Sequence, residues 1–111
     1  MPDDMEQWPA LLRVEATGDD TDPVIVVDGE LDDSGTRWFE GCVAAALQKH
    51  PGSIAIDAGG LTYMDSSGLR SFLIARAAAE EAGVAFRISQ PSPALRHVVE
   101  RTGLTGRLLD E

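Results

Sequence analysis

The run Met64-Asp65-Ser66-Ser67-Gly68-Leu69 places a carboxylate, two hydroxyls and a glycine where a turn-like stretch gives way to an apolar helical repeat. In that position Asp65 or Ser66 can accept a hydrogen bond from the free amides of a first helical turn. Capping alone is a sufficient reason for Asp-Ser-Ser at a helix start, and it keeps Ser66 at the surface. The local residues support the cap alone; a surface hydroxyl is otherwise only chemically open to modification such as phosphorylation. Phosphorylation adds about −1.5 to −2 charges at neutral pH and three acceptor oxygens. At a helix start these meet free amides and the positive end of the macrodipole, so the fold should tolerate them. Any switch built on Ser66 therefore acts at the surface.

Other chemistries find weaker support. Asp57 follows the apolar run Ile54-Ala55-Ile56, and with Asp28, Asp32 and Asp33 it superficially fits a receiver-like Asp phosphoacceptor that holds Mg²⁺. Such a site needs a cation near the last strand, whereas Lys49, the only lysine, falls in a helical stretch. Asp28-Gly29-Glu30 has glutamate where an aspartyl-phosphate hydrolase would want a second aspartate. No glycine-rich loop ending in Lys-Ser or Lys-Thr is present, so nucleotide binding lacks its usual signature. His50 and His97 have no ligand-spaced partner in the sequence, and Cys42 is the only cysteine, which excludes Cys-x-x-Cys sites and an intrachain disulfide. No metal site and no cofactor are expected.

The elements that must position Ser66 follow from periodicity. Leu12 and Val14 alternate with Arg13 and Glu15, predicting a half-exposed strand within Ala10 to Ala16. Gly18 to Pro23 reads as a turn, and Val24-Ile25-Val26-Val27 as a strand covered on both faces or nearly so, hairpinned to the first. Trp38, Phe39, Cys42, Val43, Ala46 and Leu47 share one face of a helix predicted from about Ser34 to Lys49. His50-Pro51-Gly52 ends it, with glycine tolerating the reversal. Ile54 to Ile56 is a strand, Ala58 to Met64 a loop, and a helix from about Asp65 to Gly83 buries Leu69, Phe72, Leu73 and Ala77. Val84 to Ile88 alternates as a strand. Ser92-Pro93 opens a last helix that Gly103 ends, and Leu108-Leu109 reads as a short edge strand. Strands alternating with helices predict an α/β domain with a mixed, mainly parallel sheet and helices packed mainly on one face.

The 111 residues suit one domain. The formal charge of −10 is uneven: residues 1 to 32 hold ten acidic side chains against Arg13 alone. Nucleic acid and an anionic membrane surface would be repelled, so a partner with a basic patch is expected. Residues 1–9 read as a flexible acidic leader to a domain at 10–111. With no secretion leader, no apolar run long enough to span a bilayer and no disulfide, a cytoplasmic location and no membrane insertion are expected.

Ile54 to Leu69 as a whole resembles the signature of STAS domains, the sulfate-transporter and anti-sigma-factor-antagonist family. Gly29-Glu30-Leu31-Asp32 resembles that family's other recurrent segment. Ser92-Pro93-Ala94-Leu95 followed by Thr102-Gly103-Leu104 is similar to its C-terminal helix and exit, so the likeness runs from about Ala10 to Leu109. Aspartate, serine, serine, glycine is the pattern of the anti-sigma factor antagonist branch. The resemblance implies a non-enzymatic regulator of transcription. Ser66 would accept phosphate from a partner anti-sigma factor serine kinase, which binds the ATP, and a serine phosphatase would reset it. Unphosphorylated, such a protein binds the anti-sigma factor and frees a sigma factor. The resemblance places the contact surface at Glu30, Asp32, Asp65, Ser67, Gly68 and Arg70, the last standing where antagonists often have a small residue. A static STAS adaptor in a transport or signalling complex is the alternative with the same fold. It would be favoured by exposure of Trp38 or Phe39.

Overall fold

The computed structural model describes residues 11–109; the acidic segment 1–9 lies outside them. Nine elements follow in chain order. They are β1 (Leu12–Thr17), β2 (Val24–Leu31), α1 (Thr36–Leu47), β3 (Ser53–Asp57), β4 (Leu61–Met64), α2 (Ser66–Glu81), β5 (Ala85–Ile88), α3 (Pro93–Thr102) and α4 (Thr105–Leu109). The sheet is mixed: β1 runs antiparallel to β2, while β2–β3, β2–β4 and β3–β5 are parallel.

The topology turns on β2, which is twice as long as β4. Its first half pairs with β3, Val24 opposite Ala55 and Val26 opposite Asp57. Its second half pairs with β4, Gly29 opposite Leu61 and Leu31 opposite Met64, with a register shift between Gly29 and Glu30. Strands β3 and β4 thus lie end to end along one edge of β2, joined by Ala58-Gly59-Gly60. Gly29 makes the shift possible. Its φ of +97° is accessible mainly to glycine, and a side chain there would run into the Leu11 carbonyl.

Alternate strand residues fill one core. Ile25, Val27, Leu31, Ile54, Ile56 and Phe86 are buried with Phe39, Val43, Phe72, Leu95 and Val99 from the helices. The other sheet face carries the exposed Arg13, Glu15 and Arg87, with Val24 and Val26 half-buried. Val24 to Val27, expected to be covered on both faces or nearly so, is fully buried on one face and half-buried on the other, because the helices lie mainly on one side. Phe39 of α1 and Phe72 of α2 stack at 4.8 Å between ring centroids and lock the two helices together. Fully burying a phenylalanine contributes about 1.5–3 kcal/mol each.

Four further expectations are corrected. Ala58 to Met64 is not all loop, since Leu61–Met64 is a strand held to β2. Leu108-Leu109 belongs to the helical turn α4, where Leu108 is fully buried, rather than to an edge strand. On α2 the buried stripe runs Gly68, Leu69, Phe72, Ala75, Ala79, and this rotation leaves Leu73 half-buried and Ala77 exposed. The reversal after α1 falls on His50, with φ of 55°, and not on Gly52. Gly83 and Gly103 do end α2 and α3 in the left-handed region. Among the described residues no helix is long and apolar enough to cross a membrane.

Candidate functional site

Asp65 is the N-cap of α2, with extended backbone and a side-chain oxygen that accepts from the Gly68 amide at 3.1 Å. Its carbonyl accepts from Leu69 at 3.0 Å. Ser66 and Ser67 then occupy the first two helical positions, whose amides have no intrahelical acceptor. Ser66 is exposed and its hydroxyl makes no hydrogen bond among the described residues; Asp65 and Ser67 are half-buried.

Gly68 is buried, and its missing side chain sets how close the helix comes to the sheet. A Cβ there would lie 2.6 Å from the Leu31 carbonyl oxygen and 2.9 Å from Met64 Cγ. The Gly68 carbonyl accepts from the buried Ser71 hydroxyl at 2.8 Å, which ties down the first turn.

The β2–β4 pairing brings the two motif segments together. Leu31 and Met64 are opposite one another at the C-terminal ends of parallel strands, so the next residues, Asp32 and Asp65, leave the sheet side by side. Glu30 lies opposite Tyr63. Asp32 is half-buried and accepts from the Ser34 hydroxyl at 2.6 Å and the Ser34 amide at 3.0 Å. These bonds, the hydroxyl's first, hold its carboxyl below the ordinary carboxylate range. Asp32 therefore stays charged beside the serine loop at neutral pH.

Two grooves flank the loop. One, about 340 Å³, separates α1 from α2 and is lined by Asp33, Glu40, Ser67, Arg70 and the exposed Ile74 among others. The other, about 440 Å³, runs between the β4–α2 junction and α3, with Tyr63, Asp65 and Ser66 on one wall and His97, Val98 and Arg101 on the other. His97 and Arg101 were not legible as site residues from the sequence. Their signal is the i, i+3, i+4, i+7 spacing of Ala94, His97, Val98 and Arg101, which places all four on one face of a helix.

The other sites considered are not assembled. Asp57 is half-buried and turned back on the Gly59 amide at 3.0 Å, while Asp28 is paired with Arg13 at 3.4 Å. No group of three or more His, Cys, Asp or Glu side chains among the described residues is placed to hold a metal ion. Phe39 is fully buried and Trp38 half-buried with the Arg37 guanidinium over its ring, so neither offers a bare aromatic surface.

An α/β domain with a mixed five-stranded sheet, four helices among the described residues and an exposed serine at an Asp-capped helix start beyond the C-terminal end of β4 is the class these features define. Residues 14–110 match the family model described as "Mlab, STAS domain", and the chain belongs to the STAS family. Among solved structures it is similar to an anti-sigma factor antagonist from Mycobacterium paratuberculosis, with 22% identity, a TM-score of 0.78 and coverage of 90% of this chain and 85% of that one. That likeness speaks to the fold. It is also similar to the anti-sigma factor antagonist SpoIIAA in its unphosphorylated form, at 25% identity and a TM-score of 0.71, covering 88% of this chain and 85% of that one. The phosphorylated form of the Bacillus protein SpoIIAA matches at 25% identity and a TM-score of 0.66, covering 88% of each chain. No curated protein sequence matches the chain.

Proposed function

We propose that this chain is an anti-sigma factor antagonist switched by phosphorylation of Ser66. The unphosphorylated protein binds an anti-sigma factor serine kinase through the surface around Asp32, Asp65, Ser67 and Arg70, and so frees a sigma factor for transcription. The kinase transfers the γ-phosphoryl group of ATP to Ser66 Oγ, which loses its proton as ADP leaves. A serine phosphatase reverses the step by hydrolysis. The observation that carries this reading is the exposed, unbonded Ser66 hydroxyl at the capped start of α2, beside the Asp32 segment. Similarity to SpoIIAA in both its unphosphorylated and phosphorylated forms supports it.

The switch acts through charge. A dianionic phosphate about 8 Å from a carboxylate is repelled by about 1 kcal/mol even at the dielectric of water. Two or three such carboxylates facing it across the interface weaken the complex by one to two orders of magnitude, while the fold stays intact because the phosphate sits at a helix N-terminus. Incubation with the cognate kinase and ATP, followed by site mapping, tests the reading: phosphate on Ser66 and none on the Ser66→Ala protein is the expected result. A chain never phosphorylated in its native cells, with Ser66→Glu leaving partner binding unchanged, overturns the reading and leaves a static adaptor.

A further inference from the structure

Ser66 shares the β4–α3 groove with an arginine and a histidine, and this pairing stands out in so acidic a chain. His97 and Arg101 lie one helical turn apart on α3 and both line the groove that has Asp65 and Ser66 on its opposite wall. Both are exposed, and among the described residues neither side chain makes a hydrogen bond or ion pair. A cation in the last turn of α3 is favoured by the helix dipole, which accounts for Arg101 on its own. The dipole does not account for His97 three positions into the groove-lining stripe.

We infer that His97 and Arg101 form an intramolecular clamp for the phosphate on Ser66, closing the β4–α3 groove over it in the modified state. This rests on Ser66 being the phosphorylation site and adds what receives the phosphate afterwards. An arginine presents a planar fork of donors that matches phosphate oxygens in pairs. A neighbouring imidazole becomes a second charged donor once the dianion raises its affinity for a proton. Unmodified Ser66 has no charge to offer, so the pair stays in water and the groove stays open. Phosphorylation then changes the surface twice: it adds charge at α2 and draws α3 towards it.

Other groups also face the phosphate. Asp65 and Asp32 repel it, and Arg70, four residues along α2, offers a competing cation from its own helix on the side of the other groove. The test must separate α3 from Arg70.

Phosphoserine introduced at position 66 during translation bypasses the kinase, so the outcome does not depend on whether a kinase recognises this chain. The second ionisation of the phosphate is then followed by ³¹P NMR titration in the full-length protein. With the clamp, Arg101→Gln raises the titration midpoint by about one pH unit and Arg101→Lys restores most of the shift. His97, followed through its ring protons, titrates at higher pH in the phosphorylated than in the unphosphorylated protein. A midpoint unchanged by Arg101→Gln, or moved only by Arg70→Gln, overturns the clamp and leaves Ser66 phosphorylation itself untouched. Amide spectra of each variant establish that it is folded before titration.

Discussion

Replacing Gly68 by alanine adds one methyl group in a helix, a change that ordinarily stabilises. Here it should destabilise. Alanine gains about 1 kcal/mol over glycine in a helix interior. Gly41 of α1, with nothing within 4 Å of the Cβ it would acquire, should show that full gain. At Gly68 the new Cβ meets the Leu31 carbonyl oxygen at 2.6 Å, Met64 Cγ at 2.9 Å and Leu31 Cγ at 3.2 Å. The methionine arm can turn aside. The Leu31 carbonyl cannot, because it belongs to β2 where that strand is hydrogen-bonded to β4. Overpacking of this kind costs about 1–3 kcal/mol, and the contact with rigid backbone places it in the upper half of that range. After the helix-propensity gain, a net loss of about 1–2 kcal/mol remains. The melting temperature should fall by roughly 5–10 °C. Urea unfolding of wild type, Gly68→Ala and Gly41→Ala is the assay, and the two variants should differ by about 2–3 kcal/mol in opposite directions at equal m-values. Relief of the clash by lifting the first turn of α2 would also carry Ser66 away from Asp32, so partner binding should weaken in Gly68→Ala and hold in Gly41→Ala. The reasoning is refuted if Gly68→Ala is as stable as wild type or gains as much as Gly41→Ala.

Asp65→Ala removes the acceptor of the Gly68 amide and should lower stability by about 1 kcal/mol in thermal or urea unfolding, with Asp65→Asn losing much less. An equal loss in both variants would mean that charge, not capping, is the contribution of Asp65. Ser34→Ala removes the hydroxyl bonded to Asp32, leaving only the amide. The Asp32 carboxyl should then titrate at higher pH by carbon NMR, because its folded-state value is depressed by these donors. By linkage, the Asp32 contribution to stability is present above the unfolded-state pKa and is lost as pH falls through the lower folded value, and Ser34→Ala narrows that window.

Much of the fold was legible in one dimension because its signals are local. The alternation of Leu12 to Glu15, the helical stripe around Phe39 and Val43, the Ser92-Pro93 helix start and the glycines at 83 and 103 each report a short stretch of backbone. A cap from Asp65 or Ser66 and the exposure of Ser66 belong with these, since both follow from which groups lie within three residues of a helix start; the structure gives the cap to Asp65. Leu61–Met64 is not legible in this way because it is four residues long, carries no valine or isoleucine, and becomes a strand only through its partner. Leu108-Leu109 misled for the same reason: two apolar residues fit a strand or a helical turn until the pocket they fill is known.

The surroundings of Ser66 were decided in three dimensions. The STAS resemblance named Asp32 and Ser66 together, but only the parallel pairing of β2 with β4, across thirty-odd residues of intervening chain, sets Asp32 beside Asp65. The shift in that pairing at Gly29 depends on a backbone conformation that sequence pattern does not display. The groove that faces Ser66 with His97 and Arg101 depends on how α3 packs against β4. Periodicity tells which residues share a helix face and is silent on what that face will meet. Sequence alone therefore determined that Ser66 is a reachable hydroxyl at a helix start; tertiary packing decided which charges surround it, because those charges come from strands and helices distant in the chain.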